Sequence, residues 1–133
     1  MKRLVEDATN FEAFFFHLRK GGHVAALHEH RRNRYFARID LKNFFYSISR
    51  NRVARALHEI DIPRAGFYAK FSCVKNPYDE PTCPTYALPY GFVQSPVLAT
   101  LVLSRSVLGC YLRAIQSDVT LSVYMDDIAI SSP

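Results

Sequence analysis

No Cys-x-x-Cys pair occurs in this chain. Its three cysteines, Cys73, Cys83 and Cys110, are scattered, so neither a zinc ribbon nor a disulfide framework is indicated. An odd count without a secretory signal points to a reducing cytoplasm. Long apolar runs are missing too. The most apolar stretch, Pro96 to Leu103, falls far short of the roughly 20 residues needed to span a bilayer, which excludes a membrane partner. There is no internal repeat and no low-complexity tract. His28-Glu29-His30 fits neither a helical i,i+4 pair nor a known ligand spacing, and reads as a solvated turn. Basic residues are scarce in the back half. Residues 76–133 hold two Lys or Arg against five acids, a net of −3, whereas residues 1–75 hold 15 of the 17 bases against seven acids, a net of +8. Such asymmetry suits a polyanion guided toward an acidic cluster; on charge alone, the plainer reading of a solubilising surface stands first.

What is present is a globular composition. The chain has 133 residues, 49% apolar and 14% aromatic, enough for one core and too apolar for disorder. Thr9 and Glu12 form a capping-box pattern, and Phe11, Phe14, Phe15 and Leu18 recur with helical spacing before Gly21-Gly22, which predicts a helix over about 10–20. Tyr35 to Asp40 alternates as a strand, with Tyr35, Ala37 and Ile39 on one face and Arg38 and Asp40 on the other. Ser49 caps a helix carrying Val53, Leu57 and Ile60, which ends before Pro63. Residues 64–72 suggest a short helix, and the proline-rich stretch 73–90 a loop. Ser95-Pro96 opens a helix that runs to about Ile115. The hairpin comes last: Leu121, Val123 and Met125 share one face, Ser122, Tyr124 and Asp126 the other, with the turn at Asp126-Asp127.

Two adjacent carboxylates in a hairpin are costly unless a positive charge sits between them. Asp40 ends one predicted strand and Asp126 another. If those strands are antiparallel neighbours, their carboxylates meet at one edge, an arrangement able to hold two Mg²⁺ ions about 3.5–4 Å apart for in-line phosphoryl displacement. Taken singly, each piece has a plain explanation, such as a turn-forming Asp, a solvated hairpin tip or an ordinary helix entry.

Together and in order, the residues resemble a known family. Ala37-Arg38-Ile39-Asp40-Leu41-Lys42-Asn43-Phe44-Phe45-Tyr46-Ser47-Ile48 looks like motif A of reverse transcriptases of the retron and group II intron type. Leu88-Pro89-Tyr90-Gly91-Phe92-Val93-Gln94-Ser95-Pro96 looks like motif B. Val123-Tyr124-Met125-Asp126-Asp127, followed by Ile128-Ala129-Ile130, looks like motif C. The resemblance implies an α+β polymerase palm, a ferredoxin-like antiparallel sheet with helices on one face, accompanied by part of the fingers. It implies RNA-directed DNA polymerase activity, with two Mg²⁺ ions (Mn²⁺ as the substitute), deoxynucleoside triphosphates, and an RNA or DNA primer-template. Asp40 and Asp126 become metal-binding carboxylates, Asp127 the third acid, and the Leu41 carbonyl a further metal ligand. Asn43 and Phe44 lie near the triphosphate through their backbone amides. Phe45 is the aromatic gate that leaves no room for a 2′-hydroxyl, with Phe44 on the opposite strand face. Tyr90 and Gly91 line the nucleotide groove, Gly91 because a side chain there would block the approach. Arg31, Arg32, Arg34 and Arg38 are candidates for backbone phosphates, and equally for solvated surface.

Motif B carries Tyr90 where Gln is usual, in a form closest to bacterial abortive-infection and defence-associated reverse transcriptases. Residues 1–34 are then a lead-in or partial fingers, and residues 35–133 the palm core. No thumb is expected, because the chain stops at Pro133. The alternative is a non-catalytic remnant that binds nucleic acid or a partner. An RNA-dependent RNA polymerase fits less well, because those enzymes carry Gly before the two acids and a polar gate, where this chain has Met125 and Phe45.

Overall fold

The computed structural model describes residues 1–78 and 80–133; position 79, inside the expected 73–90 loop, lies outside them. The fold is α+β, with an antiparallel sheet and packed helices, as expected. Two compact units are present, each made of two separate segments.

The first unit comprises residues 1–10 and 43–105. It is helical: α1 (Lys2–Ala8), α3 (Arg50–Glu59), α4 (Ala65–Ser72) and α5 (Ser95–Ser104). Ser49 caps α3 as its sequence predicts, its Oγ accepting the Arg52 N–H at 3.2 Å and satisfying one orphan donor of the first turn. Val53, Ala56 and Leu57 form the buried stripe of α3. The expected loop contains a two-residue ribbon, β2 (Val74–Lys75) against β3 (Tyr86–Ala87). Helix α5 is buried at every position but Pro96, in keeping with its all-round apolar sequence. It begins one residue earlier than capping logic predicts: Gln94 is the N-cap, and Ser95 is already helical.

The second unit comprises residues 11–42 and 106–133. It contains α2 (Gly22–Glu29), β1 (Tyr35–Asp40), α6 (Val107–Ile115), β4 (Thr120–Tyr124) and β5 (Asp127–Ser132). The sheet order is β1-β5-β4, antiparallel throughout. Register pairs Ile39 with Ile128 and Val123 with Ile128. Val123 and Ile128 are fully buried, and a slip of one residue would turn them to the other face, so the apolar set pins the register.

Two helices differ from expectation. The predicted helix over 10–20 is absent. Phe15 instead forms a parallel bridge to Val123, and the Phe14 carbonyl accepts the Val123 N–H at 2.8 Å. Phe14, Phe15 and Phe16 are all buried, because three consecutive rings are shared between the sheet edge and the core rather than lined on one helical face. Gly21, at φ 90, starts α2 rather than ending a helix, and α1 lies upstream with Thr9 as its C-cap. The single helix from 95 to about 115 is two. Ser106 opens α6, its Oγ accepting the Gly109 N–H at 3.2 Å, a cap that competes with helix continuation. Among the described residues, no single helix is long and apolar enough to cross a membrane.

Candidate active site

The second unit brings the acids together. Alternation places Phe36, Arg38 and Asp40 on the same face as Asp127, Ala129 and Ser131 of β5 and Thr120, Ser122 and Tyr124 of β4. Asp40 stands opposite Asp127, and Asp127 opposite Tyr124. The residue facing Asp40 across the ladder is therefore Asp127, and Asp126 lies in the turn. The turn falls one residue earlier than expected, at Met125-Asp126, with Met125 in the left-handed region at φ 57. An unbranched side chain there costs about 1–2 kcal/mol, a strain held by the ladder on either side. The Leu41 N–H donates to the Asp126 carbonyl at 3.0 Å, extending the pairing past Asp40. Asp40 and Asp127 therefore form a non-hydrogen-bonded pair, the narrower kind.

Arg38 answers that crowding. Its Nη2 lies 2.7 Å and its Nε 2.9 Å from the same Asp127 Oδ1. The hydrogen bond and charge of Asp127, with smaller effects from Asp40 and Asp126, raise the guanidinium pKa above its ordinary value. All three acids thus act on one exposed cation. Tyr124 is flanked by His17 and His23, edge to face at 6.2 and 5.9 Å.

The donor set suits a hard divalent cation: three carboxylates and a backbone carbonyl, without thiolate or imidazole. Among the described residues, however, no group of three or more acid, histidine or cysteine side chains is assembled around a common point. The residues fit the ion by chemistry and by shared sheet edge, while Arg38 occupies one of the carboxylates.

The first unit positions the aromatics. Asn43 has a left-handed backbone, φ 51, which ends the extended run after β1. Phe44 and Phe45 are therefore not on a strand: Phe45–Ser47 is a 3-10 turn, and both rings are buried. Phe45 packs edge-on against Phe44 at 5.4 Å and Tyr90 at 5.6 Å. Tyr90 itself is 75% exposed, an aromatic lid over the Phe45 ring. A Cβ at Gly91 would meet no atom of the chain within 4 Å, so packing within the chain does not require this glycine; its φ of +98 favours it.

The remaining arginines are exposed in the second unit. Arg31 turns back onto its own helix end, 2.7 Å from His28 Nδ1 and 3.0 Å from the His28 carbonyl. The Arg34 N–H bonds the Ser132 carbonyl.

Sequence reasoning missed a buried polar cluster. His30 is not in a solvated turn. It caps α2 and is buried, with Nε2 2.8 Å from Ser122 Oγ and Nδ1 2.5 Å from Ser131 Oγ. Asn33 Nδ2 donates to Thr120 Oγ1 and Ser131 Oγ, both at 2.7 Å. Ser122 and Ser131 at alternating strand positions were the available signal. Burial lowers the His30 pKa below its ordinary 6.5, partly opposed by Glu29. The neutral ring is the one the fold favours. Its stabilisation is complete above the unfolded value and is lost as pH falls through the lower folded value. Urea unfolding between pH 7 and 5 should show a declining midpoint, and His30→Asn should flatten that decline; an unchanged slope would remove His30 as its cause.

A family model described as reverse transcriptase (RNA-dependent DNA polymerase) matches residues 1–133. No curated protein matches the chain. The family match runs the whole length and includes the strand carrying Asp40, the Tyr90-Gly91 segment and the hairpin carrying Asp126 and Asp127: the chain belongs to the reverse transcriptase family.

Proposed function

We propose that this protein is a catalytic palm of an RNA-directed DNA polymerase, transferring deoxynucleotides to a 3′-hydroxyl on an RNA or DNA primer-template. The observation that carries the reading is the shared sheet edge: Asp40 opposite Asp127, with Asp126 in the adjoining turn and tied to Leu41. Asp40 and Asp126, with Asp127 and the Leu41 carbonyl, would hold a pair of Mg²⁺ ions. Bound there, the ions would lower the pKa of the attacking hydroxyl and neutralise the leaving pyrophosphate. Asn43 and Phe44 present backbone amides to the triphosphate. Arg31, Arg32 and Arg34 bring positive charge toward nucleic-acid phosphates. From the Tyr90 form of motif B we infer a role in bacterial antiviral defence, in the cytoplasm.

Phe45 sets sugar choice. Its ring, braced by Phe44 and Tyr90, is too well packed to swing aside for a 2′-hydroxyl. The test is Mg²⁺-dependent extension of a labelled primer by the full-length protein, with deoxy- and ribonucleotides compared. Wild type should add deoxynucleotides. Phe45→Val should raise ribonucleotide use relative to deoxynucleotide by about 10-fold or more, at least the roughly 1–3 kcal/mol that a single methylene confers in a pocket. An unchanged ratio would move the gate elsewhere, and absence of any incorporation by wild type would favour a binding module without catalysis.

A further inference from the structure

We propose that Arg38 is the resident counter-cation of the acid edge, occupying the Asp127 carboxylate until a divalent ion displaces it. The inference rests on the metal-binding reading above and adds a residue that competes with the ion. Like charges directly opposite on antiparallel strands are unfavourable, and Asp40 faces Asp127 across a narrow pair. Arg38 lies two residues before Asp40 on the same face, opposite Ala129. A methyl side chain at that position leaves the guanidinium room to lean diagonally onto Asp127. It places two N–H groups on one oxygen, Oδ1.

Exposure decides what this pair is for. The Arg38 side chain is 73% exposed and that of Asp127 40%, so the contact is solvated and contributes little to stability. It is well suited to exchange.

The experiment is titration of the full chain with Mn²⁺ at low salt, with unbound ion read by its electron paramagnetic resonance signal. Arg38→Gln should tighten Mn²⁺ binding roughly 2- to 5-fold, the scale of an exposed ion pair, and the gain should shrink as added salt screens the charges. Lys20→Gln removes the same charge from an exposed position and should change nothing. In an Asp127→Asn background, Arg38→Gln should have no effect, because the competition is gone. Equal or weaker binding by Arg38→Gln, or the same gain from Lys20→Gln, would overturn the proposal while leaving the metal site standing. If wild type binds no Mn²⁺, or if Asp40→Asn and Asp126→Asn bind it as well as wild type, the metal reading fails and Arg38 has nothing to compete with.

Discussion

Asp126→Asn should abolish Mg²⁺-dependent deoxynucleotide incorporation, with a loss of about 10²-fold or more. The substitution is nearly isosteric. It keeps the two-residue turn after Tyr124, and it leaves the Asp126 carbonyl able to accept the Leu41 N–H. What it removes is one negative charge and one hard oxygen donor to a cation, and an ion held there would supply several kcal/mol of charge stabilisation at a reacting phosphate. Primer extension should therefore collapse while the thermal unfolding midpoint moves little. Wild-type rates in the variant would exclude Asp126 from the reaction, whatever the edge looks like. Asp127→Asn makes an instructive partner, since it also releases Arg38.

Phe15→Ala should be the most destabilising single change in the second unit, with a loss of about 3–5 kcal/mol. Phe15 is 1% exposed, and its ring meets Phe14 at 4.7 Å and Phe11 at 6.3 Å. Truncation leaves a cavity beside the strand that ends at the acids. Against a total stability of about 5–15 kcal/mol for a domain, this removes a large share. Urea unfolding should show a much lower midpoint with unchanged slope. A loss under about 1 kcal/mol would fit a ring on a surface helix and contradict the bridge to Val123.

That contrast shows where local sequence reasoning holds. Strand β1, helix α3 with its Ser49 cap, the short α4 and the final hairpin were legible, because each is specified by alternation, capping or turn chemistry within its own residues. The 10–20 segment was not legible. Its phenylalanines satisfy a helical template, yet their strand partner, Val123, lies more than 100 residues away in the chain, and a sheet edge took the Phe14 carbonyl. The break between α5 and α6 is written in Ser106, whose capping hydroxyl is inconspicuous within a mostly apolar run. His30 looked solvated because its neighbours His28 and Glu29 are; only the fold sets it against Ser122 and Ser131.

The site divides in the same way. Motif order marked Asp40, Asp126 and Asp127 as candidates, but did not say which acid faces which. A tight turn with Met125 in a left-handed conformation decides that. The Arg38 contact was within reach of the sequence, since Arg38 and Asp40 share a strand face by alternation. Its target became readable only with the register.

Strand β1 has one further consequence. It closes the β1-β5-β4 order at one edge and is exposed along its whole length, with Tyr35, Phe36 and Ile39 among the exposed apolar side chains. An edge of this kind invites another chain to add a strand. Arg34, Arg38 and Asp40 interrupt it with charge, as gatekeepers against edge-to-edge aggregation. The Arg38 charge that pairs with Asp127 therefore also works against strand addition by another chain.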